Sequence, residues 1–294
     1  MTRLRTFERD GLVFDVRDEG PADGDVVVLL HGFPQDATAW DQVVPHLHAA
    51  GLRTLAPDQR GYSPGARPSG RDAYRLREVV ADTIALLDAA GAERAHIVGH
   101  DWGGAVVWAA TARYPERFAS AVVVSTPHPA AIGHATTHGL QALRSWYIGL
   151  FQLPVVPEIV VPPGLGAALR ASGLPADRTE HYLRRMREPG AFSAALGWYR
   201  ALGSGLARTL PRLLDPRDAR RANDRARERP HWEGPTTYVW GRGDVALGRA
   251  AAERTGRFVR GEYRFVELDA GHWLPETRPV DVAEAILERA GAGV

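Results

Sequence analysis

Apolar positions along the chain keep two rhythms. Up to about residue 128, short apolar runs alternate with stretches in which apolar residues recur every three or four positions. Leu12–Arg17 reads as a strand. Asp25–Leu30, DVVVLL, is nearly continuous, as expected of a parallel strand buried on both faces. The Ala39–Ala49 region reads as a helix and Arg53–Pro57 as a strand. Tyr74–Ala89 is an amphipathic helix, with Leu76, Val79, Val80, Ile84 and Leu87 on one face, Asp72 as its expected N-cap and Gly91 beyond its end. AHIVG at 95–99 is a strand, 101–114 a helix and SAVVVS at 120–125 a strand.

The rhythm changes at 129. From there to about 212 no strong strand run occurs, and the segment carries helical stretches, clustered aromatics and prolines. Strand patterns return at Thr236–Trp240 and Tyr263–Leu268, and a helix near Val280–Arg289 closes the chain, with Gly291 after it. Strands alternating with helices at this spacing predict an α/β fold, a mostly parallel sheet covered by helices on both faces. The expected organisation is a core from 1–128 and 232–294, interrupted by a helical cap and charged connector at 129–231. Within it, the charge-dense, Arg-rich stretch 213–231 is read as a solvated helix or linker.

Composition narrows the function. Basic and acidic residues number 36 and 35, so no global field favours nucleic acid. All the basic residues are Arg and none is Lys, a bias that weakens any argument from Arg clusters. Cysteine is absent, which excludes disulfide scaffolds, thiolate metal sites and cysteine nucleophiles. The N-terminus MTRLRTFERDG lacks an apolar core of the kind a secretory signal needs. The most apolar stretch, 146–164, is interrupted by four prolines and Glu158, so no membrane span is expected. A cytoplasmic protein, monomer or homodimer, is the expectation.

The chemistry centres on IVGHDWGG, Ile97–Gly104. Strand, G-x-D-x-G and helix follow one another as in a serine nucleophile elbow, with Asp101 at the position of the serine. A carboxylate there attacks an sp³ carbon by displacement and leaves an ester that a second step must hydrolyse. Epoxides and alkyl halides are the matching electrophiles. The second step needs a base and an orienting acid, expected downstream in that fold in the order acid, then histidine. Asp244 follows the strand Thr236–Trp240, and His272 follows the strand Tyr263–Leu268. Asp269 is the rival acid, three residues before His272. His100 and His128 are expected to make structural hydrogen bonds. The backbone N–H groups of Phe33, in LLHGFPQ, and of Trp102 are the expected oxyanion donors, and both side chains are expected to line an apolar cavity. PDQRGYSPG, 57–65, is read as scaffolding.

HGFP at 31–34, DQRGYS at 58–63, GHDWGG at 99–104, the aspartate after YVWG and GHW at 271–273 together resemble the epoxide hydrolase branch of the α/β-hydrolase family, neighbour to the haloalkane dehalogenases. The resemblance spans nearly the whole chain. It implies an Asp101 nucleophile, an Asp244–His272 charge relay, oxyanion donors at Phe33 and Trp102, and no cofactor or metal. It also implies two lid tyrosines that grip the epoxide oxygen, which fall on Tyr147 in SWYIGLFQLP and Tyr199 in GWYR. An opening epoxide develops alkoxide character and needs a proton donor, whereas a halide does not. The implied partners are a small apolar epoxide and water. Dehalogenation is the alternative, with Trp102, Trp146 and Trp198 as candidate halide donors. Phe33 stands where many dehalogenases carry an asparagine. A ligand-binding protein without catalysis is a second alternative.

Overall fold

The structure, a computed structural model, describes residues 3–213 and 232–291, with the backbone alone for 204–213. Eight strands form one sheet in the order β1-β2-β4-β3-β5-β6-β7-β8. They are β1 (Thr6–Arg9), β2 (Leu12–Glu19), β3 (Val26–Leu30), β4 (Arg53–Pro57), β5 (Ala95–His100), β6 (Phe118–Val124), β7 (Thr236–Gly241) and β8 (Tyr263–Leu268). The last six run parallel, while β1 and β2 are antiparallel to their neighbours.

The central parallel strands β3, β5 and β6 are buried on both faces because each face has its own cover. Val28, Leu30, Ile97 and Val123 point into one core layer, under α2 (Leu76–Ala89) and α3 (Trp102–Arg113). Val27, Leu29, Val98 and Val122 point into the other, under α1 (Val44–Ala49) and the C-terminal helix Pro279–Ala290. The period-2 alternation of each strand therefore separates two cores rather than a core from solvent.

Between β6 and β7 the chain runs through helices: α4 (Pro129–His138), α5 (Gln141–Arg144), α6 (Trp146–Phe151), α7 (Val156–Val160), α8 (Pro162–Ala171), α9 (Ala176–Met186) and α10 (Ala191–Leu213). Their buried faces, including Phe151, Leu165, Trp198 and Tyr199, join the same apolar cluster as the α2–α3 side of the sheet. Charges pin this cap to the loops after β3 and β4. From α9, His181 Nε2 lies 2.8 Å from Asp36 Oδ2, and Arg185 donates to Asp58 at 2.9 Å. The Arg-rich connector read at 213–231 lies outside the described residues beyond Leu213. Among the described residues no helix is long and apolar enough to cross a membrane.

Two local expectations are corrected, and one strand is added. Asp72 does not cap α2. It sits in a 3-10 turn, Arg71–Tyr74, and pairs with Arg75, while the helix starts at Leu76 because Arg75 is extended. Tyr74 is drawn into the core, with its hydroxyl on the Pro68 carbonyl at 2.8 Å, and this breaks the helix there. The Ala39–Ala49 region is a 3-10 turn at Ala37–Trp40 followed by α1, since Pro45 fits only in a first helical turn. Strand β1 is additional. It forms a hairpin with β2 across Asp10 and Gly11, both at positive φ.

The buried pair Asp18–Arg53 joins β2 to β4. Arg53 donates twice, at 2.8 and 2.7 Å, and the Asp18 side chain is 0% exposed. Burial alone would raise the Asp18 carboxyl, but Arg53, the Leu4 N–H and Arg3 bring it from 3.8 down to about 2. A depressed carboxyl stabilises the fold above its unfolded value and loses that contribution as pH falls through its folded value. Asp18→Asn should cost about 3 kcal/mol at neutral pH, from the loss of the carboxylate charge beside buried Arg53. In denaturant melts this deficit should shrink as pH falls from about 4 to about 2.

Candidate active site

β5 ends at His100, and the chain turns into α3 through Asp101 at φ 50°, ψ −117°. This positive φ is strained for a residue with a side chain. It is possible because Gly99 and Gly103 leave room where strand and helix cross: a Cβ at Gly103 would strike the Leu30 carbonyl, and one at Gly99 the Gly103 carbonyl. The turn lifts the carboxylate clear of the sheet instead of letting it cap α3, with which it makes no side-chain cap bond.

Two amides meet that carboxylate. Phe33 N–H donates to Asp101 Oδ2 at 2.9 Å, and Trp102 N–H also bonds it. The Phe33 loop is held from behind. Gln35 Oε1 takes the Gly32 N–H at 2.8 Å, and His31 Nε2 takes the Gln59 N–H at 3.1 Å, which leaves the proton on His31 Nδ1 for the Gly32 carbonyl at 2.9 Å.

His272 faces the other carboxylate oxygen, Nε2 lying 3.8 Å from Asp101 Oδ1. Its Nδ1 is 2.8 Å from Asp244 Oδ2. The other Asp244 oxygen accepts the Ala246 and Leu247 N–H groups at 2.8 and 2.9 Å, so the fully buried acid is locked. Asp269 is instead exposed and paired with Arg242. The His272 carbonyl is held by Ser125 Oγ at 2.8 Å and by His100 Nε2 at 2.9 Å. His128 caps α4 through the Ala130 N–H.

The charges are coupled. Burial pushes the Asp101 carboxyl up, while His272 and the two amides pull it back, leaving it above the usual value. Burial alone would push the His272 imidazole down, but Asp244 and Asp101 lift it to about 9. At neutral pH His272 is therefore an imidazolium facing Asp101.

Over Asp101 lies a cavity of about 420 Å³, lined by Phe33, Leu150, Phe151, Leu165, Leu169 and Trp273, with Tyr147 and Tyr199 in its wall. The phenol rings are 6.0 Å apart, on α6 and α10. Gln152 on the C-terminal side of α6 donates to the Tyr199 carbonyl at 2.7 Å and sets the register of the two helices. Burial raises both phenols well above their ordinary value, so both keep their protons at neutral pH.

Residues 25–153 match the family model of the alpha/beta hydrolase fold. The AB hydrolase superfamily protein YfhM of Bacillus subtilis is 33% identical, over 95% of this chain and 94% of its own. Epoxide hydrolase A of Mycobacterium tuberculosis is 32% identical, over 97% of this chain and 96% of its own. The chain belongs to the epoxide hydrolase family of the α/β-hydrolase fold. The crystal structure of Epoxide Hydrolase A from Mycobacterium thermoresistibile superposes with a TM-score of 0.78 at 28% identity, covering 98% of both chains.

Within this family member, all seven residues singled out from the sequence lie together around one carboxylate, with one correction. The Trp102 side chain does not line the cavity. It packs edge-on against Tyr199, ring centroids 5.0 Å apart, and its indole bonds the Tyr199 phenol. Residues that the sequence reading did not single out hold the site from outside. Gln35 links Gly32, His100 and Glu276, the last at 2.7 Å. Gln141 and Arg144 of α5 grip the Asp244 loop, Gln141 through the Ala246 carbonyl at 2.8 Å and Arg144 through the Asp244 and Val245 carbonyls. Only Gln35 carried a signal, its place directly after HGFP.

Two outcomes follow from this geometry. Asp244→Asn should bring the His272 titration down from about 9 toward its ordinary range, read by NMR of the imidazole. A Cβ at position 32 would overlap the Asp101 carboxylate. Gly32→Ala should therefore lower kcat/KM by about a hundredfold with the fold intact by circular dichroism.

Proposed function

We propose that this chain hydrolyses epoxides to vicinal diols through an ester on Asp101. The observation that carries this reading is the pair of protonated phenols, Tyr147 and Tyr199, facing the same cavity as the nucleophilic carboxylate.

In the first step a carboxylate oxygen of Asp101 attacks a ring carbon of an epoxide held by both phenols. The ring C–O bond breaks, and the released oxygen takes a proton from one tyrosine, leaving a hydroxyalkyl ester and a tyrosinate. Burial disfavours that anion, and it regains its proton from the His272 imidazolium by way of solvent, which leaves the imidazole neutral for the second step. In the second step water attacks the ester carbonyl and gives a proton to His272 Nε2, while Asp244 steadies the imidazolium. The Phe33 and Trp102 amides receive the oxyanion. Collapse releases the diol oxygen, which takes the proton from His272. The remaining proton of the Asp101 carboxyl passes to His272 and restores the resting imidazolium.

Esterification also retunes the base. The Asp101 charge is one of the contributions that lift His272. Once Asp101 is an ester that contribution is gone, and the imidazole becomes easier to deprotonate when its base role begins. Ester hydrolysis in stopped-flow should therefore titrate below about 9, the His272 value of the free enzyme.

Dehalogenation has less support here. Trp198 commits its indole to the Arg60 carbonyl at 2.8 Å, Trp102 bonds Tyr199, and Trp146 lies at the cavity mouth, 68% exposed. Function in the cytoplasm, as a monomer or homodimer without cofactor or metal, completes the proposal. The direct test runs diol formation from epoxides and halide release from haloalkanes in parallel. Diol formation should dominate. Tyr147→Phe and Tyr199→Phe should each reduce it by about ten- to a hundredfold, and the double variant by about a thousandfold. Efficient halide release that survives both phenylalanine substitutions would contradict the proposal.

A further inference from the structure

The cavity over Asp101 has the same chemistry at its mouth as along its walls. Tyr199 and His272 are nearly fully buried, as are the wall residues Phe151, Leu165 and Leu169, whereas Trp146, Val160 and Val245 line the cavity and yet are 68%, 54% and 55% exposed. None of the lining residues is an arginine, and the only hydroxyl besides the two phenols, that of Ser172, is committed to the Leu169 carbonyl and the Trp273 indole. The one cation in the cavity, the His272 imidazolium, is already flanked by Asp101 and Asp244, so a carboxylate or phosphate on the substrate would find no unpaired cation among the lining residues.

Exposed apolar side chains also occur on the helices either side of Trp146. Leu143 in α5 is 71% exposed and Ile159 in α7 is 66% exposed. α6, which begins at Trp146, packs on both α5 and α7. The only charged residues from 129 to 165 are Arg144 and Glu158. Arg144 holds carbonyls of the Asp244 loop, and Glu158 is paired with Arg200. The stretch 129–165 thus offers no uncommitted cation to an anionic bilayer surface. Exposed apolar surface continuous with a binding cavity is what a hydrocarbon ligand would cover. The cavity of about 420 Å³ itself holds about 14 heavy atoms at the ~30 Å³ each takes in a liquid.

We infer that the substrate is a neutral epoxide on an apolar arm longer than the cavity, which leaves between Trp146, Val160 and Val245 and lies along Leu143 and Ile159. The inference rests on the epoxide reading and adds the substrate class to it. The arm gains affinity from area covered rather than from any polar contact.

The test is a series of terminal epoxyalkanes from epoxyhexane to epoxyoctadecane, each kept below its aggregation concentration. In the unaltered enzyme kcat/KM should rise along the series, by about twofold per methylene once the chain outgrows the cavity, the factor for a group about half buried. The double variant Leu143→Ser/Ile159→Ser should lower the ratio of kcat/KM for the longest to the shortest member by about tenfold. A flat or falling series in the unaltered enzyme overturns the inference, whatever the variant does. So does a ratio unchanged in the variant, including the case in which the variant only loses self-association in sedimentation or loses binding to neutral lipid vesicles. Failure to turn over any member, epoxyhexane included, would instead overturn the epoxide reading beneath it.

Discussion

Asp101 is held at φ 50°, ψ −117°, a backbone state that costs a residue with a side chain about 1–3 kcal/mol. Its surroundings leave it no alternative. Its N–H is bound to the Val124 carbonyl at 3.2 Å, and its own carbonyl takes the Thr126 hydroxyl at 2.6 Å and the Ala105 N–H at 3.2 Å. Strand and helix approach through two glycines, so neither can retreat to relax the turn. Relaxation would swing the carboxylate away from the Phe33 amide and out of line with His272. The Phe33 amide, His272 and the two cap phenols are all arranged around this one carboxylate.

The electrostatics follow from placing two carboxylates and one imidazole in a cavity that is otherwise apolar. Burial opposes every charge in it, yet the carboxylates flank the ring and make the imidazolium the resting form. The first step removes one of the two negative charges, which moves the histidine toward the state the second step needs. The phenols are kept protonated chiefly by burial, to which the Asp101 charge adds, and so stay available as donors. One covalent event thus changes the protonation preference of the histidine.

Much of this was legible in the sequence because the elements concerned are local. The strand runs from Val26 to Leu30 and from Ala95 to Gly99 are dominated by apolar residues, and the glycines around Asp101 fix a turn that few other residues permit. Phe33, Asp244 and His272 sit directly after strands, so their convergence follows from the sheet. The β1–β2 hairpin was missed although Asp10-Gly11, both at positive φ, is a strong hairpin signal; TFER is too short to read as a strand alone. The start of α2 was misread because Tyr74 is captured by tertiary packing, which overrides a plausible N-cap at Asp72. The grips of Gln141 and Arg144 on the Asp244 loop span about a hundred residues, and no local pattern announces them. The cap phenols were legible only through family resemblance, since aromatic residues in a helical segment otherwise read as core.

The central claim, a covalent ester on Asp101 released by His272, is tested most directly by mass spectrometry of His272→Gln incubated with an epoxide. Removing the base should stall the second step and leave the first. The account predicts that the protein gains the full mass of the epoxide, and that peptide fragmentation puts the resulting hydroxyalkyl group on Asp101. Diol formation by this variant with no adduct at Asp101, or an adduct on another residue, would contradict it.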